Sequence, residues 1–215
     1  MKTPLLTVSL LAALVLTGCG DKKPAPSADE KKDTTATKVE ETPAAPVDSA
    51  TMAKAWMDYA TPGDMHKWMA DNCGKWEGET KMWQDPSAPP TITKGSAEFK
   101  MILDGRYQEG VHKGNFNGMP FEGKSTMAYD NAKKIFLSSW IDNMGTGIMT
   151  MEGKWDEATK TLTSEGKQVD PVTGKDMTIR EVCKFPDANT QTMEMYCTGA
   201  DGKEMKTMEI TMTRK

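Results

Sequence analysis

Histidine is nearly missing from this chain of 215 residues: His66 and His112 are the only two. A Ser-His-Asp or Cys-His nucleophile would need one of them, and neither adjoins a nucleophile-elbow motif. A zinc cluster wants two or more His or Cys at ligand spacing, and no such spacing occurs. Asp142, Glu194 and His66 are left as acid–base candidates for a hydrolase-type enzyme, and they would have to converge in space. No cofactor is expected. Basic residues do not dominate either: the formal net charge is −4. Without the first 18 residues, which hold Lys2 and no acid, it is −5. That balance speaks against nucleic acid and against a polybasic membrane patch as partners.

Leucine and arginine are scarce in a more informative way. Beyond residue 18 the only leucines are Leu103, Leu137 and Leu162, against seventeen methionines. Methionine therefore fills the core, and its flexible thioether suits an irregular apolar pocket. The pairs Met149/Met151 and Met193/Met195 also admit a copper(I) reading, because thioethers are soft ligands. On a strand, however, that spacing only places both on one face. Of 27 basic residues, three are arginine: Arg106, Arg180 and Arg214. Arginine is used where a planar, permanently charged fork must pair or stack. Arg106 and Arg180 are candidates to point inward and hold a ligand headgroup, or else to pair with Glu109, Glu181, Glu194 or Glu204.

No long apolar run occurs after residue 16. The one before it, "LLTVSLLAALVL" (5–16), follows Lys2 and is short for a bilayer span. It ends in "LTGC" (16–19), the form of a bacterial lipobox, so residues 1–18 read as a lipoprotein signal with Cys19 as the acylated residue. Acyl chains would anchor the protein to the membrane without a spanning helix. Gly20 follows where an inner-membrane retention signal would have Asp, which points to a bacterial cell-envelope lipoprotein of the outer membrane. Residues 19–50 hold no aromatics and only Val39 and Val47 as branched aliphatics, so they form the lipidated Cys and a disordered tether. Coil statistics give such a tether a reach on the order of 30 Å.

Residues 51–73 read as helical. Met52, Trp56 and Tyr59 share a face, and Thr61-Pro62 with Asp64 predicts a second helix start. From Gly74 to residue 215 the pattern changes to about ten strands parted by "DG", "NG", "DNAK", "DNMGT", "DEAT", "DPVTG", "PDAN" and "ADG", all turn material. Nothing resembles a crossover helix. The fold class is therefore all-β, an antiparallel up-and-down barrel that closes its own edges, with a two-sheet sandwich as the alternative. In an oxidising envelope, Cys73, Cys183 and Cys197 invite one disulfide, and Cys183–Cys197 on consecutive strands is the favoured pairing. The stretch "SSWIDNMGTG" (138–147) supplies either an Asx turn or a rim site built on Asp142 and Thr146. With Arg106, Arg180 and Tyr196, these are the candidate ligand contacts. His66 is expected to hydrogen-bond at the barrel end.

"GKWEGE" (74–79) on the first strand and "TMTRK" (211–215) on the last resemble the lipocalin, fatty-acid-binding and nitrobindin group of barrels, the calycins. That resemblance implies that Trp76 plugs one end of the barrel with Arg214 stacked on it. The haem-binding members use a His near the C-terminal strands, and this chain has none there. The stretches "HKWMADNCGKWEGE", "ILDGRY", "GMPFEGKSTMAYDN", "SSWIDNMGTG", "DPVTGK", "EMY" and "GKEMKTMEITMTR" together resemble a bacterial family, domain of unknown function 1579, over about residues 62–215. The resulting expectation is a barrel that binds a small amphipathic or apolar ligand. An envelope interaction module with a filled barrel stands beside it as an alternative.

Overall fold

The computed structural model describes residues 47–116, 118–199 and 202–215. The signal, Cys19 and most of the tether lie outside the described residues. Two helices, α1 (Ser49–Ala60) and α2 (Asp64–Asp71), precede ten strands. These are β1 (Gly74–Met82), β2 (Thr91–Ile102), β3 (Tyr107–Phe116), β4 (Met119–Asp130) and β5 (Ile135–Asp142). They continue with β6 (Met149–Asp156), β7 (Thr161–Val169), β8 (Asp176–Asp187), β9 (Thr190–Thr198) and β10 (Glu204–Arg214). Each strand pairs antiparallel with its sequence neighbour, and β10 pairs with β1 to close one continuous barrel. The sandwich alternative is thereby corrected. A closed sheet leaves no strand edge to cover, whereas two stacked sheets would leave four.

Aspartate builds the hairpins. Asp130, Asp142, Asp156 and Asp170 each turn a side-chain oxygen back onto backbone amides two or three residues ahead. Such Asx turns reverse the chain without help from the partner strand. Lys134 and Lys160 follow two of these turns in the left-handed region, at φ 57° and 51°. Between turns, alternate residues face inward: Phe136, Ser138 and Trp140 on β5, then Ile179, Glu181 and Cys183 on β8.

One end of the barrel is sealed. Met69 of α2, Phe136 and Leu162 form its buried centre, with Trp68, Tyr129, Trp155 and Phe185 packed against them. Burial of each such side chain contributes about 1.5–3 kcal/mol. The Trp68 ring meets Phe136, Trp155 and Phe185 at 5.4, 4.7 and 4.9 Å between centroids. Gln108 on β3 donates to the Met69 carbonyl at 2.7 Å and fixes α2 in the mouth. Arg214 lies 4.5 Å above the buried Trp76 ring and donates to the carbonyls of Cys73, Asp71 and Ala188. First strand, last strand and helix therefore meet at one guanidinium.

Two local expectations need correction. The second helix begins at Asp64, with Gly63 as its N-cap, and not at Thr61-Pro62. Thr61 instead ends α1, its hydroxyl donating to the Met57 carbonyl at 2.6 Å. The His66 ring takes over the capping work, its Nδ1 accepting the Gly63 amide at 3.1 Å. The Cys183–Cys197 disulfide is also absent: Cys73, Cys183 and Cys197 are free thiols. The β8–β9 register sets Cys183 opposite Met193 and Cys197 opposite Ile179, four positions apart along the strand. That offset exceeds what a disulfide can span.

Candidate functional site

Above the sealed end the strands enclose a cavity of about 190 Å³. Phe99, Trp140, Met149, Met151, Met193 and Met212 give it a largely apolar wall. Five of its lining residues are methionines, because the core of this barrel was built with almost no leucine. A thioether can shift among rotamers at little cost, so such a wall adapts to its contents. A second depression, shallow and open, overlies Gly78, Gly95 and Gly114 and is flanked by Glu77, Glu79, Lys94 and Lys113. Its mixed charges sit at the surface, so it encloses nothing.

Three ionisable groups line the cavity, the Cys183 thiol and two more that sit on strands facing each other across the barrel. β3 carries His112 and β8 carries Glu181, five strands apart in either direction round the closed sheet. His112 is flanked edge-on by Phe99 at 5.3 Å and Trp140 at 4.8 Å, and its Nε2 reaches the Ser125 hydroxyl at 3.3 Å. Burial pushes its pKa down to about 4, so the imidazole is neutral at ordinary pH. A base that weak, with no carboxylate among the described residues bonded to the ring, is a poor activator of Ser125. Glu181 lies in register between Ser164 on β7 and Met195 on β9. Desolvation pushes its carboxyl up to about 7.

Beside its ring contacts with His112 and Phe121, Trp140 is set in the wall by a hydrogen bond and a close fit against the neighbouring strand. Its indole N–H donates to Asp142 Oδ2 at 2.7 Å. Its ring lies against Gly123, where an added Cβ would come within 2.4 Å of the six-membered ring. Asp142 also accepts the amides of Met144 and Gly145, so "IDNMGT" is the Asx turn of the β5–β6 hairpin. It touches the cavity through Trp140 alone. Thr146 lies exposed in the same turn.

Neither Arg106 nor Arg180 faces inward, and Arg180 takes the pairing alternative, with Glu204. Arg106 sits in the β2–β3 turn, donating to the Leu103 carbonyl at 3.3 Å, with Asp104 at 3.8 Å. Arg180 is on the outer face of β8, where it grips Glu204 through two hydrogen bonds of 2.7 and 2.6 Å. The same guanidinium lies 4.1 Å over the ring of Tyr196, whose hydroxyl donates to Glu194 at 3.0 Å. Arg106, Arg180 and Tyr196 are therefore corrected as cavity contacts. The physical reason is strand parity: Arg180 precedes an inward Glu181, and neighbours on a strand point to opposite faces. The proposed acid–base trio does not converge either. Glu194 pairs with Lys206 outside, His66 is buried on the inner side of α2 against Tyr129, and Asp142 is committed to its turn.

Sequence reading missed Glu181 and His112. A signal for the first was present, since "TIREVC" puts an acid between Ile179 and Cys183 on the apolar parity. None existed for the second, because the inward residues of β3 are Gln108, Gly110 and His112, which show no hydrophobic alternation.

The model of a family described as "protein of unknown function (DUF1579)" matches residues 61–214. No curated protein matches the chain at a significant level. Among solved structures, the crystal structure of Rv2717c from M. tuberculosis is similar, with a TM-score of 0.55 and 10% identity. That match covers 72% of this chain and 99% of the other. A redesigned beta barrel matches at a TM-score of 0.39 and 12% identity, over 71% of this chain and 99% of that one. The first likeness concerns the fold. With a single family model spanning the second helix and every strand, the chain belongs to the DUF1579 family and folds as a closed antiparallel barrel of ten strands.

Proposed function

We propose that this protein is an envelope lipoprotein whose barrel binds a small, largely apolar ligand in its interior. The observation that carries the reading is the cavity of about 190 Å³, walled by methionine and aromatic side chains inside a barrel sealed at one end. An apolar cavity of roughly 150 Å³ is large enough to take benzene, and drug-sized sites begin at roughly 300 Å³. The ligand is accordingly about one ring or one short branched chain in size. The lipobox "LTGC" and the composition of the tether support the anchor at Cys19 and an outer-membrane address.

Native mass spectrometry of the protein isolated from a bacterial envelope tests the first half. The expected result is an additional small mass that leaves on denaturation. An empty protein whose melting temperature also ignores a panel of monocyclic probes would overturn the binding reading. Mass analysis of the N-terminal peptide tests the anchor, and an unmodified Cys19 would remove it.

A second reading, a protein-interaction role, draws on the rim opposite α2. Ile92, Met119, Met144, Ile148, Val169 and Val172 are all exposed around the turns at that end, Ile148 by 70% and Val172 by 91%. Exposed apolar groups gathered on one rim mark contact surfaces. Crosslinking from Val172 in the envelope tests that role; recovery of the monomer alone counts against it.

A further inference from the structure

The arginine-based expectation gave the interior a positive anchor, and the structure places an acid there instead. Among the described residues that line the cavity there is no lysine and no arginine, and Glu181 is the only acid. The groups facing Glu181 are Ser164 from β7, Met195 from β9, the Cys183 thiol on its own strand and, across the barrel, His112. None of these carries positive charge: burial and the Glu181 carboxyl hold the Cys183 thiol protonated, and burial holds His112 neutral. The nearby cations are engaged elsewhere, Arg180 with Glu204 and Lys206 with Glu194 and Glu209, on the outer surface. A carboxylate held in an apolar cavity without a counter-ion is unfavourable, and a ligand that brings a matching charge offsets that cost.

We propose that the cavity selects small organic cations: an amine of about one ring in size, its ammonium group held by Glu181 and its apolar body seated on the methionines and aromatic rings. The proposal rests on the interior-binding reading and specifies its ligand class. Trp140, Phe99, Trp68 and Phe185 all line the cavity, and aromatic faces attract cations. Ser125, Ser138 and Gln108 add neutral polar groups to the rest of the lining. Anions of the same shape would meet Glu181 as a like charge. Neutral analogues would fill the space and leave the carboxyl unmatched.

Isothermal titration of the purified protein at pH 8 with benzylamine, benzyl alcohol and benzoate separates these classes at nearly constant size. Benzylamine is expected to bind about tenfold more tightly than benzyl alcohol, the worth of one charge-assisted hydrogen bond. Benzoate is expected not to bind. In Glu181→Gln the amine should fall to the affinity of the alcohol or below it, as its charge is left without a partner, while the alcohol keeps its affinity. Amine affinity should also fall as pH is lowered through about 7, where Glu181 takes up its proton. Equal affinities for amine and alcohol in the unmodified protein, or a preference for benzoate, would overturn the cation proposal and leave a neutral-ligand cavity. Binding of none of the three would overturn the interior-binding reading as well. Should Glu181→Gln fail to fold by circular dichroism, the three-probe ranking and its pH dependence decide the question.

Discussion

The Trp140 indole N–H ends on Asp142 Oδ2 at 2.7 Å, while the other oxygen of that carboxylate closes the β5–β6 turn. One side chain thus couples a surface turn to the wall of the cavity. Asp142→Ala should lower stability by about 1–3 kcal/mol, as three donors lose one acceptor. Tryptophan fluorescence should change with it, because the indole loses its hydrogen bond. An unchanged emission spectrum would mean that packing of the ring alone positions Trp140.

Glu181 and His112 should give the protein opposing pH responses. For Glu181 the folded pKa is raised, from an ordinary 4.5 to about 7, so stability is full below 4.5 and declines as pH rises to 7. For His112 the folded pKa is depressed, from 6.5 to about 4, so stability is full above 6.5 and declines as pH falls toward 4. Each group spans about 3 kcal/mol. Between roughly pH 4.5 and 6.5 the slopes cancel, and urea midpoints should be nearly flat in that window. Glu181→Gln should expose the histidine slope, gaining stability with rising pH, and His112→Gln should expose the glutamate slope. Parallel profiles in both variants would refute this assignment.

Arg214→Lys should destabilise the barrel by about 2 kcal/mol despite keeping the charge. Lysine cannot reach the carbonyls of Asp71, Cys73 and Ala188 together, nor lay a planar fork on Trp76. Chemical denaturation measures the loss. A variant within about 0.5 kcal/mol of the parent would reduce the stack to a minor contact.

Alkylation without reductant should modify Cys73, Cys183 and Cys197 in the denatured protein, since all three are free. In the folded protein Cys183 should react far more slowly than Cys197. Burial and the neighbouring Glu181 push the Cys183 thiol well above its ordinary pKa, and the thiolate is the reactive form. Resistance of any pair to alkylation after denaturation would show that a disulfide forms.

The strands were legible because their signals are local. Asp130, Asp142, Asp156 and Asp170 announce their turns wherever the chain goes, and alternation such as Met149/Met151 against Thr150/Glu152 needs only a half-buried strand. The interior was not legible to the same degree. In "TIREVC" Glu181 was one of four glutamates offered as partners for the arginines, yet a strand sends Arg180 and Glu181 to opposite faces, the first to Glu204, another of the four, and the second to the cavity. The scarcity of arginine was a true signal attached to the wrong surface: Arg214 and Arg180 stack on rings and satisfy oxygens at the seam and on the outer wall. His112 gave no warning, because being enclosed is a property of ten strands together and not of β3.

The seam between β1 and β10 has a consequence for how the chain reaches this structure. The contact of Lys215 with Glu77 spans 138 positions, nearly the whole barrel sequence. Loop-closure entropy must be met before that ladder returns any energy, so the seam belongs to the slow, non-local class of folding events. Nine hairpin-linked strands can assemble as the chain emerges, but β1 stays an open edge until the final eleven-residue strand arrives. Until then the chain is a sheet with two exposed edges. Proteases and pairing partners have access to those edges in that interval, and the docking of β10 onto β1 ends it.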